Sequence, residues 1–531
     1  MKHIEIFDST LRDGAQGESI SFSVEDKLSI TSALDELGIP YIEAGNPGSN
    51  PKDMEFFQRV SALHQAKLCA FGSTRRPNIE IQEDKNVRSL EAAATPCISI
   101  FGKSWDLHVK DVLHTSLEEN LQMIQETIAY FKKRGREVIF DSEHFFDGYL
   151  ENSEYALATL RAACKGGADV LTLCDTRGGT RLDQLHDIVK AVCSSFDCRI
   201  GIHCHNDMGL AVAGSLTAVE AGATHVQGTL LGIGERCGNA HLSTIIADLQ
   251  LKYHYQCVPD EQLTQLTPLA QRVAEISNIT LPHNTPYVGK SAFAHKGGMH
   301  IDGVMKIPRS FEHIEPEAVG NERRFLLSEV SGRTTVLHAL QKVDPSLTKD
   351  SLATKEVVTR IKELEFQGYQ FEGAHATVEL LIRKVLGLYK PFFQLEQYKI
   401  IDEQPALGDH SDTAVIRLKA LGKSEISAGQ GDGPVHALDI ALKRALTVFY
   451  PAVKFVRLID YKVRVMESRR ATASKVRVLI ETTDGESSWT TVGVSSDIIE
   501  ASWTALVDSI EYKLTKDQIR GLPENPTAGT V

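Results

Sequence analysis

Eight times within the first 285 residues, a short apolar run ends in a polar or glycine-rich cluster and gives way to an amphipathic stretch. The runs are His3–Asp8, Tyr41–Gly45, Lys67–Gly72, Cys97–Phe101, Glu137–Asp141, Val170–Asp175, Ile200–His205 and Val226–Leu230. Between them, stretches such as Val24–Gly38 and Leu117–Gly135 space Leu, Ile and Ala at helical intervals. Strand alternating with helix implies a parallel sheet. Eight such units in this length predict an α/β fold, a closed (β/α)8 TIM barrel over residues 1–285, better than an open sheet. No GxGxxG opens the first helix, which argues against a dinucleotide-binding fold.

The remaining chain needs its own cores, because 531 residues exceed what one core usually serves. Residues 286–390 are rich in charge and helix formers and are expected to form mainly helical linker subdomains. Residues 391–531 change character again and carry a repeat at a spacing of 64. Gly429 answers to Gly493, Val435 to Ile499, Ala437 to Ala501 and Leu442 to Leu506. Each copy reads as strand, glycine-containing turn and helix, predicting a C-terminal α+β pseudo-symmetric domain.

Bulk properties narrow the function. A net charge of −13 without a basic run makes nucleic acid or an anionic membrane a poor partner. No apolar stretch is long enough to span a bilayer. The nine cysteines are odd in number, lie between Cys69 and Cys257 and form no CxxC pair, so they read as reduced thiols. The N-terminus runs directly into a strand, leaving no room for a targeting segment. A cytoplasmic protein is expected.

In a barrel of this kind, residues just after the strands share the C-terminal rim, where active sites sit. That rule gathers Arg12, Asp13, Glu43, Ser73, Glu143, Asp175, Thr176, His203, His205, Glu235 and Asn239 around one pocket. His203 and His205, in the run HCHND, point to the same face of a strand. Both imidazoles can reach one divalent ion, of the Zn, Mn or Co type with Mg less favoured. Asp13, in DSTLRDGAQ, can add a hard oxygen, with Arg12 as a fixed cation beside it. A metal ion plus a guanidinium can hold a 2-oxo acid and stabilise the alkoxide that develops at its carbonyl. In GIGERCGNA, glycines bring backbone close to a ligand, and Asn239 can add an amide oxygen. Cys237 reads as structural, for want of a partner.

DSTLRDGAQ, HCHNDMGLA and GIGERCGNA, with SGR at 331–333, HKGGMHIDG and the C-terminal repeat, resemble the isopropylmalate, homocitrate and citramalate synthase family of metal-dependent aldolase-like barrels. DGAQGESISFSVEDK, PGSNPKD, FGSTRR and DSEHFFDGY look most like its pyruvate-using branch. The resemblance implies Claisen condensation of acetyl-CoA, as co-substrate, with pyruvate or another short 2-oxo acid. It also implies a divalent metal (Mn, Zn, Co or Mg) on Asp13, His203 and His205, with Asn239 as a fourth or nearby ligand. Arg12 would polarise the keto oxygen, Glu143 and Thr176 would contact the 2-oxo acid, and His300 would take part in acetyl-CoA activation. The C-terminal domain would bind an amino-acid effector across a homodimer, isoleucine first and leucine second. Small residues, Ala471 and Ala473 among them, would leave room for its side chain.

Three positions depart from the family pattern: Phe311 stands where tyrosine is usual, Arg177 where asparagine is commoner, and Asn46 where tryptophan is usual. A lyase running the reverse cleavage and a non-catalytic amino-acid sensor remain as alternatives. The long C-terminal domain speaks against the first, and the intact Asp13, His203, His205 and Asn239 set against the second.

Overall fold

The computed structural model describes residues 2–326, 333–348, 350–403, 412–466 and 474–520. Ser331 and Gly332 of the SGR motif, and Ala471 and Ala473, lie outside the described residues. The rest falls into two compact units, one of residues 2–293 with 314–323, the other of 294–313 and the described residues from 324 onward.

In the first unit, eight parallel strands close into a barrel: β1 (Glu5–Asp8), β2 (Tyr41–Gly45), β3 (Lys67–Ser73), β4 (Cys97–Lys103), β5 (Glu137–Glu143), β6 (Val170–Asp175), β7 (Arg199–Cys204) and β8 (His225–Gly228). Closure is made by β1 against β8, with Asp8 opposite Gly228. Helices α1 (Val24–Leu37), α2 (Pro51–Arg59), α3 (Lys85–Ala92), α4 (Leu117–Lys132), α5 (Phe145–Gly166), α6 (Leu182–Ser195), α7 (Ala211–Ala221) and α8 (Leu242–Leu251) follow the strands in turn, and α9 (Leu266–Ile276) completes the unit. The sequence punctuates them as expected. Ser23 and Asp26 form a capping box at the start of α1, and Gly38 ends it at φ 89°, a left-handed turn that glycine adopts without penalty.

The main core lies between strands and helices. Phe7, Tyr41, Cys69, Cys97, Ile139 and Val170 pack together as a second cluster, drawn from six successive strands. At the N-terminal ends of the strands, Arg199 bridges Glu5 (2.6 Å) and Glu137 (2.7 Å), and Lys67 and Tyr41 also bind Glu137. Charge at this end of a barrel serves the scaffold.

The second unit begins with a two-residue parallel ladder of β9 (Ala294–His295) and β10 (Arg324–Phe325), and with α10 (Gly298–Lys306). Helices α11 (Arg333–Gln341), α12 (Leu352–Gln367) and α13 (His375–Val385) follow. Then come two copies of one motif. β11 (Phe393–Asp402), β12 (Asp412–Ala420) and β13 (Lys423–Gly431) form an antiparallel sheet followed by α14 (Pro434–Thr447). β14 (Arg457–Val465), β15 (Val476–Thr483) and β16 (Ser488–Ser495) form another, followed by α15 (Ile498–Ile519). Among the described residues, the repeat therefore holds three strands per copy.

Its matched glycines sit in strands, where turns were expected. A Cβ on Gly429 would lie 2.6 Å from the Ala441 nitrogen, and one on Gly493 would lie 2.0 Å from the Ala501 carbonyl oxygen. Each glycine lets its helix rest directly on the strand backbone. Among the described residues, no helix is long and apolar enough to cross a membrane.

Candidate metal and substrate site

β1 and β7 deliver the central cluster. The loop after β1 turns back through Ser9, whose carbonyl accepts the Asp13 and Gly14 N–H groups and so aims Asp13 inward. His203 lies on β7 and His205 one residue beyond it, both buried and on one face. His203 Nε2 is 3.3 Å from Asp13 Oδ2, His205 Nε2 is 3.9 Å from the same oxygen, and the two Nε2 atoms are 3.3 Å apart. One ligand atom from each of the three residues fits within 4.8 Å of the others.

Electrostatics matches that geometry. Burial opposes ionisation of Asp13, yet Arg12 and the two histidines hold its carboxyl well below the usual carboxylate range. Burial, with the neighbouring His203 charge, pushes His205 down to about 4, leaving a neutral imidazole. His203 goes the other way: burial lowers it, but Asp13 wins and raises it. Asn239 pairs with His205 through an isolated backbone bridge. Its Nδ2 donates to the Ile233 carbonyl at 3.2 Å, and its Oδ1 is buried without a hydrogen-bond partner among the described residues. One carboxylate, two imidazoles and an unused amide oxygen make a donor set that fits a borderline divalent cation.

Arg12 sits beside the cluster. Its Nε donates to Glu43 at 2.6 Å, Nη1 lies 3.6 Å from Asp13, and the guanidinium is 3.7 Å from the centre of the Phe71 ring. Burial works against its charge, but Glu43 and Asp13 more than compensate and keep it protonated. Phe71 stacks on Phe101 with ring centres 5.1 Å apart. These groups enclose a cavity of about 220 Å³, which Glu143, Thr176, Glu235 and Arg236 also line. Glu143 is ion-paired with Lys103. The Thr176 hydroxyl accepts the His144 N–H at 2.8 Å.

Other residues of the expected rim are elsewhere. Asp175 spends its carboxylate within its own loop, on Thr180 and the Gly179 N–H. Arg177 is largely exposed, 3.2 Å from Asp147 and over the Trp105 ring. Asn46 lines a neighbouring cavity of about 300 Å³ that shares Arg12, Gln16 and Phe71 with the first. Cys237 is exposed. His300 belongs to the second unit, on α10, where its ring stacks on Phe311 at 4.4 Å between centres. In the same segment, His295 Nε2 lies 2.9 Å from Glu312.

Sequence reading passed over three groups. Asp141 and Gln227 sit inside the apolar strands β5 and β8, and both line the cavity. A polar residue within an otherwise apolar barrel strand was the available signal. Arg236 grips Asp207 with two nitrogens (2.8 and 2.9 Å) and donates to the Thr176 carbonyl at 2.8 Å. It ties the segment after β7 to the loop after β6.

Comparison with known proteins gives the same picture along the whole chain. Residues 3–273 match the HMGL-like family, 287–368 the homocitrate synthase post-HMGL domain-like family, and 372–514 the LeuA allosteric (dimerisation) domain. The (R)-citramalate synthase of Aquifex aeolicus is 52% identical over 98% of this chain and 99% of its own. Those of Geobacter sulfurreducens and a Synechocystis strain are 48% and 47% identical, over at least 96% of each chain.

Proposed function

Because this chain belongs to the HMGL-like family, and matches (R)-citramalate synthases from end to end, we propose that it condenses acetyl-CoA with pyruvate and water to give (R)-citramalate and CoA. The observation that carries the reading is the convergence of Asp13, His203 and His205 on the cavity that Arg12, Glu143 and Thr176 share. In this reading Asp13, His203 and His205 hold a divalent ion, with the Asn239 amide beside them. When bound, the ion supplies Lewis acidity to the keto oxygen and carboxylate of a 2-oxo acid.

The chain's own residues do the rest. Arg12, fixed by Glu43, holds positive charge where the alkoxide develops, and needs no reorganisation as the reaction proceeds. Glu143 and Thr176 orient the 2-oxo acid. His300, acting with a water or second group, takes a proton from the acetyl methyl. The carbanion forms the carbon–carbon bond to the keto carbon, whose oxygen becomes an alkoxide and takes a proton from water to give the hydroxyl. Water then breaks the thioester, leaving a carboxylate and the free thiol of CoA. The stacked Phe71 and Phe101 wall a small cavity, which favours pyruvate over branched 2-oxo acids. The C-terminal domain pairs two subunits and takes isoleucine, or secondarily leucine, as effector. The pathway served is isoleucine biosynthesis, in the cytoplasm.

The test is thiol release from acetyl-CoA by metal-loaded protein, with pyruvate, 2-oxobutyrate, 2-oxoisovalerate and 2-oxoglutarate. Pyruvate should lead in kcat/KM by about tenfold or more over each longer acid, the scale of discrimination per methylene. A larger acid in first place overturns the substrate. Thiol release unchanged by His203→Ala and His205→Ala, with metal content also unchanged, overturns the site.

A further inference from the structure

Among the described residues, one of the two histidines at the site has a partner behind it and the other has none. His205 Nδ1 is buried without a hydrogen-bond partner among the described residues. His203 Nδ1 lies 3.1 Å from Gln227 Oε1. Gln227, fully buried on β8, is itself pinned. Its Nε2 donates to Asp141 Oδ1 at 2.8 Å and to Thr172 Oγ1 at 3.1 Å, and Asp141 Oδ2 accepts the Ser99 hydroxyl.

The chemistry of these partners leaves Gln227 one orientation. A carboxylate accepts and does not donate, so the amide NH2 must face Asp141. The amide oxygen therefore faces His203, and in the neutral ring that a metal requires the proton must be on Nδ1. Nε2 is then the nitrogen whose lone pair is free, and Nε2 is the atom directed at Asp13 and His205. We infer that Gln227, anchored by Asp141, is a positioning residue that fixes the His203 tautomer and ring angle for metal ligation. This rests on the metal reading above and adds residues that stand behind one of the proposed ligands. Partners behind metal-bound histidines orient the ring and raise its basicity, and their loss costs roughly 10–100-fold in metal affinity.

The experiment uses full-length protein and cobalt(II) alone, read by its visible absorption bands and by competition with a chelator. Gln227→Leu removes the acceptor and should weaken cobalt binding by about 10–100-fold. It should also change the band shape. The paired exchange Asp141→Asn with Gln227→Glu keeps size and total charge and reverses the donor between the two positions. The carboxylate introduced on β8 would still accept from His203 Nδ1, so this variant should recover wild-type affinity and bands. Recovery by the exchange is not expected if Gln227 merely fills space. Gln227→Leu binding cobalt as tightly as wild type overturns the inference. So does a folded paired variant that binds no better than Gln227→Leu. Should Gln227→Leu fail to fold, the paired variant alone decides against wild type. Failure of the wild-type protein to take up cobalt overturns the metal reading itself, and the inference falls with it.

Discussion

Glu511 shows how a single carboxyl can set a pH dependence. It lies on α15, almost wholly buried, and accepts the Phe392 N–H at 3.0 and 3.3 Å. Burial pushes it up to about 7 from an ordinary 4.5, against the lowering effect of those N–H groups. The native state therefore binds this proton more tightly than the unfolded chain does. Stability is greatest below the unfolded value and falls as pH rises through 7, by about 3 kcal/mol when complete. Glu511→Gln keeps an oxygen for Phe392 and cannot ionise. It should melt above wild type at pH 8, with the gap closing towards pH 5. A gap of equal size at both pH values would mean that ionisation is not the cost. At the catalytic end, Asp13, His203 and His205 were legible because two rules meet there, the two-residue period of a strand and the rim position in a barrel. Gln227 and Asp141 were not, because a polar residue inside a strand announces burial but not its partners.

At the scale of elements, the paired glycines 64 residues apart are the most exacting feature of the second unit. Adding a methyl at Gly493 forces the backbone of α15 off β16, so Gly493→Ala should destabilise by about 1–3 kcal/mol or more. Gly433 has extended backbone and nothing within 4 Å of its would-be Cβ. Gly433→Ser should therefore stay within about 0.5 kcal/mol of wild type in the same denaturation experiment. The period was readable in the sequence, because helix-facing residues must recur where the packing recurs. The strands β11 and β14 that open each copy were not, since their exposed faces break the apolar run that marks a barrel strand. The two helix starts also differ, since α14 has no side-chain cap. Asp497 already caps α15, its own carboxylate accepting the Ile499 N–H at 2.7 Å.

For the whole molecule, the sheets of the second unit leave apolar side chains uncovered. Ile401 on β11, Ile426 on β13, and Val463 and Val465 on β14 are each at least 41% exposed. Exposed apolar side chains on sheet faces are candidates for burial against a partner, and the region matches a dimerisation domain. Val463→Glu should shift the mass seen in sedimentation towards the monomer and, under the regulation proposed above, blunt inhibition by isoleucine. Dimers as tight as wild type would place the interface elsewhere. The closure of the barrel carries a consequence for how the protein is made. Asp8 pairs with Gly228, so its second neighbour is translated 220 residues later (228 minus 8). At roughly 5–20 residues per second, β1 waits about 10–40 s on the ribosome for that neighbour. Asp13 follows β1, while His203 and His205 come off only near the end of the same interval. A nascent barrel thus holds a lone carboxylate for most of that interval, and the full ligand set of Asp13, His203 and His205 is assembled only as the barrel closes.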